Sequence, residues 1–387
     1  MLLFVAAFFV YVNLFVSITV FPRYAVEIGC TPLQSGLQNT FFFVTAVILR
    51  FYCGPYADRK GRTLPLLVGA FVFATTPLLL LYREGATMLI LSRVYQGIGL
   101  AAFLQSGSSL VADMAPPQKR GAYLGAYRLL IVLAVLGGPP AALALIEKYG
   151  FRVFFGACAL VGLFSLLLLI PLKTPSFPPG ETLSSAGSVM GVLRNRRVWP
   201  LLLGIALANI GYSSLLSYVA IYLSETGSMA GSGAYFLYFG LAGIAANLGA
   251  GFLSDRFGRP FTAWPALILL GLGSIALAFI DTVPAAAIFS SVLAGIGVNG
   301  SMVVLLAWLV DVSGERLRAT ALSLEENTID LSFAAGTFLF GLAGSYIGFK
   351  ASFAAAGILI LSPAVALLQL FRSQQRKRLP GARNDAI

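Results

Sequence analysis

Long apolar stretches alternate with short joints rich in glycine, proline and charge from one end of the chain to the other. None of the stretches alternates apolar and polar positions in the two-residue rhythm of a half-buried strand. Most reach 18 residues, the length at which a helix can cross a hydrocarbon core about 30 Å thick. The pattern predicts twelve spanning helices, at residues 1–21, 35–54, 64–82, 87–112, 121–146, 151–172, 198–223, 231–253, 261–280, 284–310, 320–345 and 350–371. The longest joint, "KTPSFPPGETLSSAGSVMGVLRNRR" at 173–197, is rich in Pro, Ser and Gly and reads as a flexible linker. It divides the chain into a first bundle at 1–172 and a second at 198–371, followed by a tail at 372–387. The opening "MLLFVAAFFV" reads as part of a span, because a cleaved leader would start with basic residues and carry a shorter apolar core.

Composition narrows the class. Of the 387 residues, 58% are hydrophobic and 11% charged, against about 25% charged in an ordinary soluble domain. The expectation is an all-α membrane protein, since a membrane β-barrel would show alternating segments of about ten residues. No joint is long enough for a soluble catalytic domain. The chain has no histidine and three scattered cysteines, Cys30, Cys53 and Cys158. That removes the commonest metal ligand and general base and argues against a disulfide frame. We therefore expect no enzyme, no metal and no cofactor.

Charge placement predicts orientation. With the first residue on the cytoplasmic side, the cytoplasmic joints hold 18 Lys and Arg and the opposite joints five, namely Arg23, Arg83, Lys148, Arg152 and Lys350. Positive charge concentrates on the cytoplasmic side of membrane proteins, so both termini are expected there. The same asymmetry accounts for the net charge of +11 through an anionic lipid surface rather than nucleic acid.

The chain repeats itself. "GPYADRKGR" at 54–62 returns as "GFLSDRFGR" at 251–259, 197 positions on. "VADMAPPQKRG" aligns with "LVDVSGERLRA" at an offset of 198, pairing Asp113 with Asp311 and Arg120 with Arg318. "SRVYQGIG" aligns with "SSVLAGIG" at that same offset. The expected architecture is two pseudo-symmetric six-helix bundles, with substrate at their interface near the midplane.

These residues resemble the major facilitator superfamily over essentially the whole chain. "GPYADRKGRTLPL" is similar to its loop motif G-x-x-x-D-R-x-G-R-(R/K), with Thr63 in place of the last basic residue. Arg93, Gln96 and Gly97 match its R-x-x-Q-G motif. "ADMAPPQKRGAYLG" resembles the fourth-to-fifth helix junction of the twelve-helix drug:proton antiporters. The G-P-x-x-G-G motif of that branch survives only as Gly138-Pro139. The resemblance implies the major facilitator fold, alternating access, gating by the loop motif, and a link between Arg93 and proton movement.

Physically, Gly54 and Gly61 permit close helix approach and a tight turn. Asp58 stands near a helix N-terminus, where a carboxylate is favourable. Arg59 and Arg62 can pair with Asp113. The gating set is therefore Gly54, Asp58, Arg59, Gly61, Arg62 and Asp113, with Gly251, Asp255, Arg256, Gly258, Arg259 and Asp311 as its second copy.

Six charges fall inside spans: Arg50, Arg93, Arg128, Glu325, Glu326 and Asp330. Each unpaired charge at the bilayer centre costs about 2.5–3.5 kcal/mol on the insertion scale, so they should face water or one another. From their depths, Arg50 is expected to pair with Glu325 or Glu326 when the cytoplasmic side is closed, as a gate; Arg128 is a further gating candidate. Asp330, nearest the midplane, is the expected proton carrier, with Glu325, Glu326 and Arg93 as further candidates. Substrate candidates are the polar and aromatic residues of spans one, four, seven and ten, the spans that line the central cavity in the superfamily. They are Asn13, Ser17, Gln96, Gln105, Asn209, Tyr212, Ser213, Tyr218, Asn299 and Trp308. Taken together, the reading is a monomeric secondary transporter in the cell membrane, using protons to export a small, moderately hydrophobic molecule. Uptake or facilitated diffusion of a small metabolite is the alternative, and a non-transport membrane enzyme or receptor the remote one.

Overall fold

The computed structural model describes residues 2–82, 85–116, 120–172, 185–226, 232–283, 285–314 and 317–377. Within them the chain forms α1 Leu2–Glu27, α2 Pro32–Lys60, α3 Thr63–Tyr82, α4 Ala86–Met114, α5 Arg120–Leu169, α6 Ser185–Leu193, α7 Val198–Glu225, α8 Ser232–Phe257, α9 Pro260–Ala276, α10 Ala286–Ser313 and α11 Arg318–Lys377. A short 3-10 turn, Leu277–Phe279, continues α9. No strand occurs among the described residues. In hydrocarbon the backbone must satisfy its own hydrogen bonds, and only a helix does so within one segment.

Two helices are far longer than a bilayer requires: α5 has 50 residues and α11 has 60. Each is broken by one glycine in the left-handed region, Gly150 at φ 77° and Gly348 at φ 75°. These bends are 198 positions apart, in "GFR" and "GFK", and add a match at the repeat offset to those found in the sequence. Cutting α5 and α11 there leaves twelve long helical stretches among the described residues, besides the nine-residue α6 inside the predicted linker. Nine of the uncut helices are long and apolar enough to cross a membrane.

Several boundaries differ from those the sequence predicts, for identifiable reasons. The predicted first span stops before Pro22, but α1 runs through it to Glu27. Proline removes the N–H that would bond the carbonyl four residues earlier. That carbonyl belongs to Ile18, and Asn39 Nδ2 donates to it at 3.2 Å. Pro77 inside α3 likewise frees the Phe73 carbonyl, which accepts from Asn13 Nδ2 at 3.3 Å. At the start of α2, Thr31 and Gln34 form a capping box and Pro32 occupies the first turn, so the helix begins earlier than residue 35.

The repeat extends to packing. A β-carbon on Gly97 would collide with the Phe42 carbonyl oxygen, and one on Gly295 with that of Phe239, 197 to 198 positions on. Helices α1–α5 pack together, as do α7–α11, and the two sets meet through α2 with α11, α5 with α8 and α1 with α7. The repeated charged turns lie at one end of the bundle, the turn end. The Gly150 and Gly348 bends lie at the opposite, far end.

At the far end the two sets are in tight contact. Leu33 N–H donates to Ser345 Oγ at 3.1 Å, Thr40 Oγ1 to the Ala334 carbonyl at 3.1 Å, and Asn39 Nδ2 to Ser217 Oγ at 3.0 Å. Tyr218 Oη donates to the Thr337 carbonyl at 2.9 Å and is wedged between Gly36 and Gly341, where a β-carbon would strike it. On the α5–α8 side, Gly240 lies against the Leu136 backbone and Gly233 faces Pro140.

Candidate functional site

Two ion pairs tie α11 to the first set of helices. Arg50 of α2 reaches Asp330 at 2.5 Å and donates to Asn327 Oδ1 at 3.1 Å. Arg128 of α5 donates to both oxygens of Glu325, at 3.1 and 3.5 Å. Asp330 is 4% exposed, Glu325 1% and Arg50 7%, whereas the Arg128 side chain is 44% exposed. In this conformation, closed at the far end, Arg50 pairs with Asp330; the expected pairing with Glu325 or Glu326 belongs to the conformation closed at the turn end. Depth alone ignores azimuth. Five residues along a helix turn it by roughly 140° and advance it about 7.5 Å, so Glu325 presents itself to α5 and Asp330 to α2. Asn327, three residues before Asp330, shares its face. Glu326, four residues before it, does too, and is half-buried.

Arg93 is elsewhere. Its guanidinium is fully buried and donates to Ser17 Oγ at 3.0 Å, to Gln96 Oε1 and to Asn39 Oδ1. It stacks on Phe42, with the guanidinium carbon 4.1 Å from the ring centre, a geometry that favours a cation. Gln96 Nε2 also donates to Ser17 Oγ, at 3.2 Å. The charge is thus held by neutral acceptors and ring faces, and Asp330 lies against Arg50 instead.

The charged turns are built alike. Arg62 meets Asp113 at 3.1 Å and Arg259 meets Asp311 at 3.1 Å, the same pair one repeat apart. Arg259 also binds Asp255 at 3.0 Å and donates to Ser254 Oγ at 2.6 Å. Gly61 at φ 96° and Gly258 at φ 91° let both turns close where an L side chain would be strained. Arg256 lies over the neighbouring Phe257 ring. Gly251 has open space where a β-carbon would sit, so it is not a close-approach glycine. The side chains of Asp58, Arg59, Arg120 and Arg318 lie outside the described residues, as do the surroundings of Gly54.

The substrate candidates separate. Asn13 supports the α3 proline break and also donates to the Cys158 carbonyl at 2.9 Å. Ser17 and Gln96 belong to the Arg93 cluster. Tyr218 is part of the far-end closure. Ser213 is buried where a β-carbon on Gly336 would meet it. Asn209 and Asn299 return their amides to the Ile205 and Gly295 carbonyls of their own helices, at 2.7 and 3.0 Å. Tyr212 stacks on Phe239 and meets Phe333 edge-on. Trp308 lies edge-on to Trp264, and Gln105 is half-buried. Tyr212, Gln105, Asn299 and Trp308 thus keep partial exposure, while the others are buried in this conformation. Asn39, Ser217 and Asn327 escape the sequence reading. For Asn39 the signal is present, the second of two adjacent amides at the head of the greasy run in "LQNTFFFV".

Known proteins resemble this chain along most of its length. The multidrug resistance protein MdtG of Citrobacter koseri is 26% identical over 357 residues, 89% of this chain and 87% of its own. That of Escherichia fergusonii is 26% identical over 372 residues, 93% and 90%. Among solved structures, a POT family transporter in complex with 5-aminolevulinic acid superposes with a TM-score of 0.79 at 15% identity, covering 96% of each chain. A bacterial homolog of the human lysosomal transporter Spinster, in an inward-facing and unoccupied conformation, gives 0.78 at 18% identity, covering 98% of each. These likenesses show the same fold. The Major Facilitator Superfamily model matches residues 3–283 and 223–386, and the chain, a multi-pass membrane protein, belongs to that superfamily.

Proposed function

We propose that the protein is a proton-coupled exporter of small, moderately hydrophobic molecules, working by alternating access between its halves at 1–172 and 198–371. All twelve long helical stretches cross the membrane, and both termini and the turn end face the cytoplasm. The names of the MdtG relatives support the export of drug-like molecules. The basic residues of the turns, linker and tail support the orientation.

One observation carries the coupling mechanism: the buried bridge between Arg50 and Asp330, one residue from each half. A proton on Asp330 neutralises one partner and leaves a buried guanidinium without its counter-charge, which is costly. Proton and bridge therefore exclude each other. The bridge forms in the conformation closed at the far end, which corresponds to proton release toward the cytoplasm. Loading requires the far-end-open conformation to break this bridge and expose Asp330 to water from the far side. Glu325 with Arg128 forms a second, more hydrated tie on another face of α11. Glu326, on the Asp330 face and half-buried, is a further stop for the proton. Arg62–Asp113 and Arg259–Asp311 brace the turns within each half, so each half moves as a rigid piece. Tyr212, Gln105, Asn299 and Trp308 are the substrate contacts left partly open.

The experiment is transport in proteoliposomes under an imposed pH gradient, with a lipophilic dye as cargo. The wild type accumulates cargo against its gradient. Asp330→Asn should lose accumulation while keeping downhill exchange. Accumulation by Asp330→Asn at the wild-type level would overturn Asp330 as the carrier.

A further inference from the structure

We propose that Asn39 is a positioning residue that ties closure of the far end to the placement of the Arg93 guanidinium. The inference rests on the alternating-access part of the reading above and on nothing about cargo.

The orientation of the amide follows from its partners. Arginine has donors only, so the atom facing Arg93 Nη2 must be the carbonyl oxygen, Oδ1. The two hydrogens of Nδ2 are then committed, one to the Ile18 carbonyl at 3.2 Å and one to Ser217 Oγ at 3.0 Å. Every polar atom of this side chain is used, in a position with no exposure.

The three partners differ in kind. The Ile18 carbonyl is vacant because Pro22 follows four residues on, so that bond fills a fixed gap in α1. Arg93 is on α4, in the same half as Asn39. Ser217 alone is in the other half, on α7, one residue before the Tyr218 that is wedged between Gly36 and Gly341. A motion that parts the halves at the far end must lengthen the bond to Ser217 while leaving the other two intact. An amide held at three points cannot turn. Held at two, it can, and its oxygen is one of the three acceptors that fix Arg93. Opening the far end thus loosens a buried cation on α4, with Asn39 as the link between Arg93 and the opposite half.

The test is a double-mutant cycle between Arg93 and Ser217, read as the ratio of far-end-open to far-end-closed molecules. Spin labels replace the exposed Tyr82 and Tyr346, one in each half at the far end, with Cys30, Cys53 and Cys158 changed to serine. Pulsed electron resonance on purified protein gives the ratio without any cargo, so a failure of the export reading leaves this measurement intact. Losing one net hydrogen bond should raise the open-to-closed ratio about threefold to tenfold in Ser217→Ala. The same change should raise it by less than about twofold in an Arg93→Gln background and leave it unchanged in an Asn39→Ala background. Ser217→Thr, which keeps the hydroxyl, should restore the parental ratio. If Ser217→Ala acts by one factor whether or not Arg93→Gln is present, the bond is only a far-end tie and the proposal is wrong. Should Asn39→Ala not fold, the cycle of Arg93→Gln with Ser217→Ala decides alone.

Discussion

Arg50 and Asp330 meet at 2.5 Å with both side chains almost closed to water, one from α2 and one from α11. Breaking a buried pair on one side leaves a bare charge and typically costs about 3–5 kcal/mol, whereas removing both partners is close to neutral. Arg50→Ala should therefore lower the melting temperature of the purified protein more than the double variant Arg50→Ala with Asp330→Asn. Both should lose uphill transport. A double variant less stable than Arg50→Ala would contradict the pairing.

The second bridge should behave more mildly. Glu325 is buried, but the Arg128 side chain is 44% exposed and keeps much of its hydration. Exposed partners contribute about 0–1 kcal/mol. Arg128→Gln is expected to melt within a few degrees of the wild type, while Glu325→Leu, which strips the buried acceptor, changes the packing of α5 against α11 as well. Thermal unfolding of the two variants side by side distinguishes them: an Arg128→Gln loss as large as that of Arg50→Ala would mean that water does not reach this bridge.

The helical architecture and its twofold repeat are legible because hydrocarbon demands long apolar helices and because the charged turns recur at one offset. The extra repeat at Gly150 and Gly348 lies in plain view as "GFR" and "GFK" but carries too little chemistry to stand out. The charges of the interface are legible as a set and not as pairs. Depth along a helix can be counted from sequence, whereas azimuth about its axis depends on which neighbour it packs against, and that decides Asp330 over Glu325 for Arg50. The polar residues of the first two helices, Asn13 read as a substrate contact and Asn39 passed over, are misjudged for another reason. Asn13 and Asn39 serve carbonyls vacated by Pro77 and Pro22, and a proline on another helix gives no hint of which side chain will compensate it.

The repeated turns invite a comparison of glycine with charge. Gly61 sits at φ 96° and ψ 158°, a region that only glycine occupies readily. Gly61→Ala should cost about 1–3 kcal/mol. Arg259→Gln, which removes two pairs whose carboxylates are exposed, should cost about 1 kcal/mol. If the turns act as braces for motion, Arg62→Gln and Arg259→Gln will slow transport at near-normal stability, with Asp255→Asn milder still because Arg259 retains Asp311. Transport rate and melting temperature measured on the same preparations check this; unchanged rates in both arginine variants would leave the turns a topological role only.

The far end offers the sharpest steric test. A β-carbon on Gly36 would meet both the Tyr218 hydroxyl and the Thr337 carbonyl oxygen, while one on Gly137 meets nothing within 4 Å. Both glycines are helical, so alanine itself is favoured at each by up to about 1 kcal/mol. Gly137→Ala should therefore be neutral or slightly stabilising. Gly36→Ala adds a wedge between α2 and α11, where neither backbone can yield within its own bundle, so the halves must part instead. The expected outcome is a molecule whose two bundles stay folded, whose far end admits a membrane-impermeant thiol reagent to a cysteine placed at the buried Thr337, and whose transport falls at least about tenfold, the equivalent of 1.4 kcal/mol against the closed state. Adding Tyr218→Phe removes one of the two collisions and should recover part of the closure. A Gly36→Ala protein that transports normally and stays sealed to the reagent would show that this contact opens and closes without constraint from packing.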